Sequence, residues 1–212
     1  MKDEAGEVEE EGLLFDDGSL TGEAFDHTGL KRTWPAARCL ARYLVSHPEE
    51  VQHKAILELG AGSGVPSLCA RELGASRVVL TDAEPQVVAR LTSDLSLMPM
   101  IRAALLDWED QESVDALVRE EGIEVVLAAD VVYPAKDGSP LACCLGRILR
   151  RQAAEPPRSA LLALSQRDAA MHRMFEAQLA QQVDVELLAI EEAEEDPLYG
   201  KADVHLYRLR AQ

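Results

Sequence analysis

Apolar positions along the chain alternate between two patterns. Short apolar-rich runs, which predict buried strands, fall at residues 55–57, 77–82, 101–106, 125–130 and 160–164. Between them, apolar residues recur at the spacing that predicts helices, at about 33–47, 65–73, 85–95, 112–120, 138–152 and 168–182. This regular exchange of strand and helix predicts a parallel sheet with helices on both faces.

The last part of the chain departs from this alternation. Residues 183–190 and 202–209 predict two strands, and no helix fits in the acidic loop between them, so they are expected to pair as an antiparallel hairpin. The expected fold is a doubly wound, Rossmann-like α/β sheet of seven strands, mostly parallel, with a C-terminal antiparallel hairpin. We expect a single domain over residues 13–212, preceded by an acidic, disordered tail over residues 1–12.

A glycine-rich turn follows the first predicted strand and precedes a predicted helix. Gly60, Gly62 and Gly64 stand at alternate positions, and Glu58 lies at the end of the strand before them. A strand, a glycine turn and a helix form the entry to a mononucleotide-binding unit. A dinucleotide fingerprint would have glycine where Val65 stands, and its pyrophosphate would be repelled by Glu58. The turn therefore favours a cationic cofactor with an amine and hydroxyls over NAD, which is the disfavoured alternative.

Acids and aromatic residues stand at the ends of the next predicted strands. Asp82 follows the glycine turn by about 20 residues, the distance at which an acid binds ribose hydroxyls. Asp107 and Trp108 end the third strand, where a carboxylate can accept from an adenine amine and an indole can cover the ring. Asp130 and Tyr133 lie three positions apart after the fourth strand, so both side chains can face one pocket.

The charge and the cysteine content restrict the classes of partner and the cellular compartment that are expected. The formal net charge of −17 argues against nucleic-acid binding and suits a protein partner with a basic segment. The four cysteines lack the spacing of disulfide frameworks or zinc sites, which predicts buried thiols in a reducing compartment and no metal. No apolar run is long enough to span a bilayer, and the first residues do not resemble a signal peptide. We expect a monomer in the cytoplasm or the nucleus.

Taken together, the motifs resemble one known family. The matching segments are 33–37, 57–64, 80–82, 106–108, 129–133 and 203–207, in that order along the chain. They resemble the "family 16" group of seven-β-strand, class I S-adenosylmethionine (AdoMet) methyltransferases, which are named for an Asp-x-x-Tyr motif. Characterised members of that group mostly methylate lysines of proteins, and some relatives act on histidine.

The resemblance implies a cofactor and roles for particular residues. The cofactor would be AdoMet, with S-adenosylhomocysteine as the product and no metal. Glu58 and Asp107 are expected to contact the cofactor. The family motifs imply further cofactor contacts at Trp34, Gly60, Ala61, Gly62, Asp82, Trp108 and Ala129. Asp130 and Tyr133 would face the acceptor, most simply a lysine amine that attacks the methyl group directly. A histidine or small-molecule acceptor, or a catalytically silent binding protein with this fold, remains an alternative.

Overall fold

The computed structural model describes residues 32–132, 138–150, 157–192 and 203–212. Its α-helices are α1 (Pro35–Ser46), α2 (Val65–Glu72), α3 (Pro85–Asp94), α4 (Gln111–Glu121), α5 (Ser139–Leu149) and α6 (Ala169–Ala180). Its strands are β1 (Ala55–Leu59), β2 (Arg77–Asp82), β3 (Ile101–Leu105), β4 (Val125–Ala129), β5 (Ser159–Ser165), β6 (Asp184–Glu192) and β7 (Asp203–Arg210). A short 3₁₀ helix follows α1 at Pro48–Glu50. In these described ranges, no helix is long and apolar enough to cross a membrane.

The seven strands form one sheet in the order β3-β2-β1-β4-β5-β7-β6. The first five strands pair in parallel, and β7 pairs antiparallel with both β5 and β6. The predicted doubly wound fold and its C-terminal hairpin are thereby confirmed. The strand order reverses between β1 and β4, which makes their carboxyl ends the switch point where such sheets bind ligands.

Both faces of the sheet are covered by helices. One face, which includes Leu57 and Val126, packs against α4, α5 and α6. The opposite face, which includes Ile56 and Leu127, packs against α1, α2 and α3. Successive side chains of a strand point to opposite faces, so a strand covered on both sides must be apolar at every position. This double burial explains the continuous apolar runs in the sequence.

The start of α1 has no side-chain cap. Its N-cap residue is Trp34, whose side chain makes no capping hydrogen bond. Pro35 takes the first helical position, where the absence of an N–H has no penalty. The Trp34 side chain lines the cleft at the carboxyl ends of the strands. The expected tail over residues 1–12, and most of the acidic loop before β7, lie outside the described residues.

Candidate active site

The glycine turn after β1 is closely packed against its surroundings. Gly60 and Gly64 have φ angles of 62° and 75°, a region that side-chain-bearing residues rarely adopt. A Cβ at Gly60 would lie 2.7 Å from Val131 Cγ1, and one at Gly64 would lie 2.7 Å from Leu80 Cδ2. Glycine is therefore required here both by the backbone angles and by the lack of space.

The Asp82 carboxylate is held in place by the same turn. Its Oδ2 accepts a hydrogen bond from the Gly62 N–H, and its Oδ1 accepts one from the Glu84 N–H, both at 3.0 Å. On the other side of the turn, Arg90 Nη2 donates to the Gly62 carbonyl oxygen at 2.6 Å. A carboxylate has two oxygens that can each accept more than one hydrogen bond, so this group suits a ligand with two hydroxyls.

Glu58 is a carboxyl group buried at the base of the turn. Its Oε2 accepts from the Ser67 N–H at 3.1 Å, and only 1% of the residue is exposed. Burial raises the pKa of Glu58 to about 8, a shift that the Ser67 hydrogen bonds oppose and the nearby Asp82 charge increases. A buried acid that ionises near neutral pH gains from a cationic ligand beside it.

A cleft at the switch point brings together most of the predicted site residues. Its lining includes eight of the nine residues assigned to the cofactor, together with Asp130; the eight are Trp34, Glu58, Gly60, Ala61, Gly62, Asp82, Trp108 and Ala129. The remaining lining residues were not predicted and are Ala37, Ser63, Ala83, Glu84 and Val131. Ala37, Ser63 and Val131 lie inside the matching segments but were given no role there, and residues 83–84 directly follow Asp82.

Among the described residues, one that was assigned to the cofactor, Asp107, does not line this cleft. Asp107 is exposed, and its Oδ1 accepts a hydrogen bond from the Glu109 N–H at 2.9 Å within the turn after β3. Its neighbour Trp108 is half-buried, packs against the core and reaches the cleft. Tyr133 lies in residues 133–137, outside the described part of the chain.

The Asp130 carboxylate accepts three hydrogen bonds. Its Oδ1 accepts from the Ser165 N–H, and its Oδ2 accepts from the Ser165 hydroxyl and from Arg167 Nη2, each at 2.8 Å. The Asp130 side chain is 1% exposed and the Arg167 side chain 10% exposed, so this is a buried ion pair. The backbone at Asp130 has a φ of 54°, which turns the chain sharply at the end of β4.

Two guanidinium groups lie on the indole of Trp34. The Cζ atoms of Arg32 and Arg167 are 4.4 Å and 5.1 Å from the ring centroid, within the range of cation–π contacts. Arg167 therefore connects Asp130 to Trp34, and both of these residues line the cleft. Ser165 and Arg167 were not predicted from the sequence, although the end of β5 must meet the end of β4 at one edge of a parallel sheet.

This sheet, with a cleft at its switch point and an acid at the end of β2, has the form of a nucleoside-binding α/β fold. Fibrillarin from Aeropyrum pernix, solved with natively bound S-adenosyl-L-methionine, has a similar fold, with a TM-score of 0.58 and 20% sequence identity. The match covers 82% of this chain and 76% of that one. The model of the lysine methyltransferase family matches residues 21–181, and the chain belongs to that family.

Curated relatives match part of the chain. The protein N-terminal and lysine N-methyltransferase efm7 of Neurospora crassa is 31% identical over 125 residues, which cover 51% of this chain and 44% of that protein. The calmodulin-lysine N-methyltransferase of Arabidopsis thaliana is 29% identical over 136 residues, which cover 61% of this chain and 44% of that protein. This chain thus matches less than half the length of either relative.

Proposed function

We propose that this chain is an AdoMet-dependent methyltransferase that modifies a lysine amine of a protein. The observation that carries the proposal is the pairing of Asp82 with the glycine turn inside the switch-point cleft. That pairing places a carboxylate and a close-packed backbone where a nucleoside would bind. Membership of the lysine methyltransferase family supports the choice of acceptor.

The residues of the cleft fit this cofactor chemically. Asp82 would accept hydrogen bonds from the ribose hydroxyls, and the half-buried Trp108 would cover the adenine. The buried Glu58 would contact the end of the cofactor that bears the amine, because a positive charge there favours the ionised form of the carboxyl group. The walls of the cofactor cleft would be formed by Trp34, Gly60, Ala61, Gly62 and Ala129. Asp107, which is exposed, would lie at the outer end of the cleft near the adenine. When bound, AdoMet supplies a methyl group already activated on a sulfonium.

Asp130 would position the acceptor amine. Three of its roughly four lone-pair sites are in use, which leaves about one, on Oδ1, for a donor that enters the cleft. A free carboxylate would stabilise the ammonium form of lysine, whose unperturbed pKa is about 10.4 and which cannot attack. The bound Arg167 guanidinium offsets that charge, so the pair can orient an amine without holding it protonated. Tyr133 would close the same channel through its hydroxyl.

The expected partner is a protein with a basic target segment. The formal net charge of −17 supports that partner through long-range attraction. We also propose that the protein acts as a monomer in the cytoplasm or the nucleus. The prediction of buried thiols is right for Cys39 and Cys144 and wrong for Cys143, which is exposed, while Cys69 is half-buried. All four thiols are free, which supports a reducing compartment.

The direct test is a methylation assay with label transferred from AdoMet. The purified chain is incubated with labelled AdoMet and a cell extract, and the labelled protein is identified by mass spectrometry. We expect the label on a lysine side chain. Label confined to low-mass compounds, or found on imidazole nitrogen, would replace the lysine acceptor. Calorimetry that detects no AdoMet binding would contradict the proposal entirely.

A further inference from the structure

Four potential ligand side chains converge between α6 and β7. His172 and Glu176 are four residues apart on α6, so they share one face of the helix. His205 and Tyr207 are two residues apart on β7, so they share one face of the sheet. None of these four side chains lines the switch-point cleft, so the cluster is independent of the proposed methyl transfer.

The polar atoms of the cluster surround one point. The Tyr207 hydroxyl oxygen lies 2.7 Å from His172 Nε2 and 3.0 Å from His205 Nδ1, and the hydroxyl donates to Glu176 Oε1. His172 Nε2 and Glu176 Oε1 are 3.7 Å apart, and the ligand atoms of His172, Glu176 and His205 all lie within 4.8 Å of one another. Tetrahedral zinc, with bonds of about 2.0–2.1 Å, needs ligand atoms about 3.3–3.4 Å apart. The three atoms therefore need to contract by about 1.5 Å or less.

The hydrogen bonds of the cluster indicate which ring nitrogen of each histidine carries the proton. The Tyr207 hydroxyl has one proton, which it donates to Glu176, so its oxygen accepts from both imidazoles. His172 then carries its proton on Nε2, and His205 carries its proton on Nδ1. A metal ion would bind these same nitrogens, and each ring proton would move to the other nitrogen. The phenol oxygen would move away from the point that the ion occupies and bind the ion as the fourth ligand. Its proton would be released to solvent.

We propose that His172, Glu176 and His205 form a site for a divalent transition-metal ion of the zinc type, with Tyr207 oxygen as the fourth ligand. Two imidazoles and a carboxylate select zinc-like ions over calcium or magnesium, which prefer oxygen ligands alone. An ion can enter from solvent, because His205 is half-buried and the Glu176 side chain is 36% exposed. A bound ion would connect α6 directly to the last strand of the sheet.

The experiment uses the full chain after dialysis against a chelator. Zinc is titrated in competition with a chromophoric chelator, and cobalt is titrated separately to detect the visible bands of a tetrahedral site. We expect one ion per chain and a rise in the unfolding temperature on zinc addition. His205→Gln and Glu176→Gln, which alter partly exposed residues, should each weaken binding by about 10- to 100-fold or more. A tyrosinate absorption band that appears on metal addition, and is lost in Tyr207→Phe, would identify the fourth ligand.

Matched variants separate this site from other zinc ligands of the chain. His53→Gln removes an exposed histidine outside the cluster, and Cys143→Ser removes the exposed thiol; both should retain full affinity. Zinc affinity unchanged in a His172→Gln/His205→Gln double variant would overturn the proposal. So would a wild-type chain that binds no zinc, since the cluster would then be a hydrogen-bond network alone. Methyl transfer is not a readout here, so its failure would leave this result unaffected.

Discussion

The Asp130 carboxylate and the Arg167 guanidinium form a buried ion pair, with Nη2 and Oδ2 2.8 Å apart. The two residues come from the ends of adjacent strands, β4 and β5, and are separated by 37 positions in the sequence. Asp130, which we propose positions the acceptor amine, is therefore paired with a positive charge even without an acceptor. Charge balance at this edge of the sheet depends on Arg167 as much as on Asp130.

Removal of Arg167 should destabilise the fold and change the pH dependence of the reaction. Arg167→Gln leaves the Asp130 charge buried without its partner, which should lower the free energy of unfolding by about 3–5 kcal/mol in urea titrations. The unpaired carboxylate would also raise the pKa of the acceptor amine. The acidic limb of the kcat profile, which reports the enzyme–substrate complex, should therefore move to higher pH. Arg167→Lys keeps the positive charge and should stay closer to the wild type in both the free energy of unfolding and the pH dependence. Equal stability of Arg167→Gln and the wild type would contradict the role of the ion pair.

Asp130 should be needed for transfer and dispensable for cofactor binding. Asp130→Ala removes the group that we propose orients the acceptor amine, so turnover should fall to background. Calorimetry should show AdoMet affinity within about threefold of the wild type. Asp184→Ala is the matched control, because Asp184 is exposed on the edge strand β6. Retained turnover in Asp130→Ala would remove this residue from the mechanism.

A methyl group at Gly60 should reduce cofactor binding and stability together. Gly60→Ala meets Val131 Cγ1 at 2.7 Å, in addition to the strain of a φ of 62°. Gly122→Ala is a close control, because Gly122 has a φ of 63° and open space around the added Cβ. The control should lose only about 1–2 kcal/mol of stability and no AdoMet affinity. Gly60→Ala should lose more stability and at least about tenfold in affinity, because the turn itself must shift. Equal losses in both variants would show that the contact with Val131 is unimportant.

Glu58 should make stability fall as the pH rises. Its pKa is raised from 4.5 to about 8 in the folded chain, so the folded state holds a proton that the unfolded state releases. This contribution to the free energy of unfolding is complete below about pH 4.5 and is lost as the pH rises through about 8. Glu58→Gln should remove this slope in urea titrations across the same range. An identical pH dependence in the variant would show that Glu58 ionises normally.

Much of the architecture could be predicted from the chain alone, for a physical reason. Strands buried on both faces are continuously apolar, and their carboxyl ends meet at one edge, so the order of the motifs is enough to bring Glu58, Asp82 and Trp108 together. Arg167 and Ser165 could not be predicted, because their roles depend on which side chain the fold places beside them. The His172 and Tyr207 contact was hidden for the same reason, since the two residues meet only through the packing of α6 on β7.

The position of β7 between β5 and β6 has a consequence for how the chain folds. β6 precedes β7 along the chain but has no strand partner other than β7 in the described sheet. The two strands must therefore associate first as a local hairpin, or β6 must wait for β7 to reach β5. The pairing of β5 with β7, from Ser159 opposite Arg210 to Ser165 opposite Val204, joins strands that lie further apart along the chain than β6 and β7 do. Ser165, whose N–H and hydroxyl hold Asp130, lies at one end of this pairing, so the geometry around Asp130 depends on the C-terminal strand of the chain.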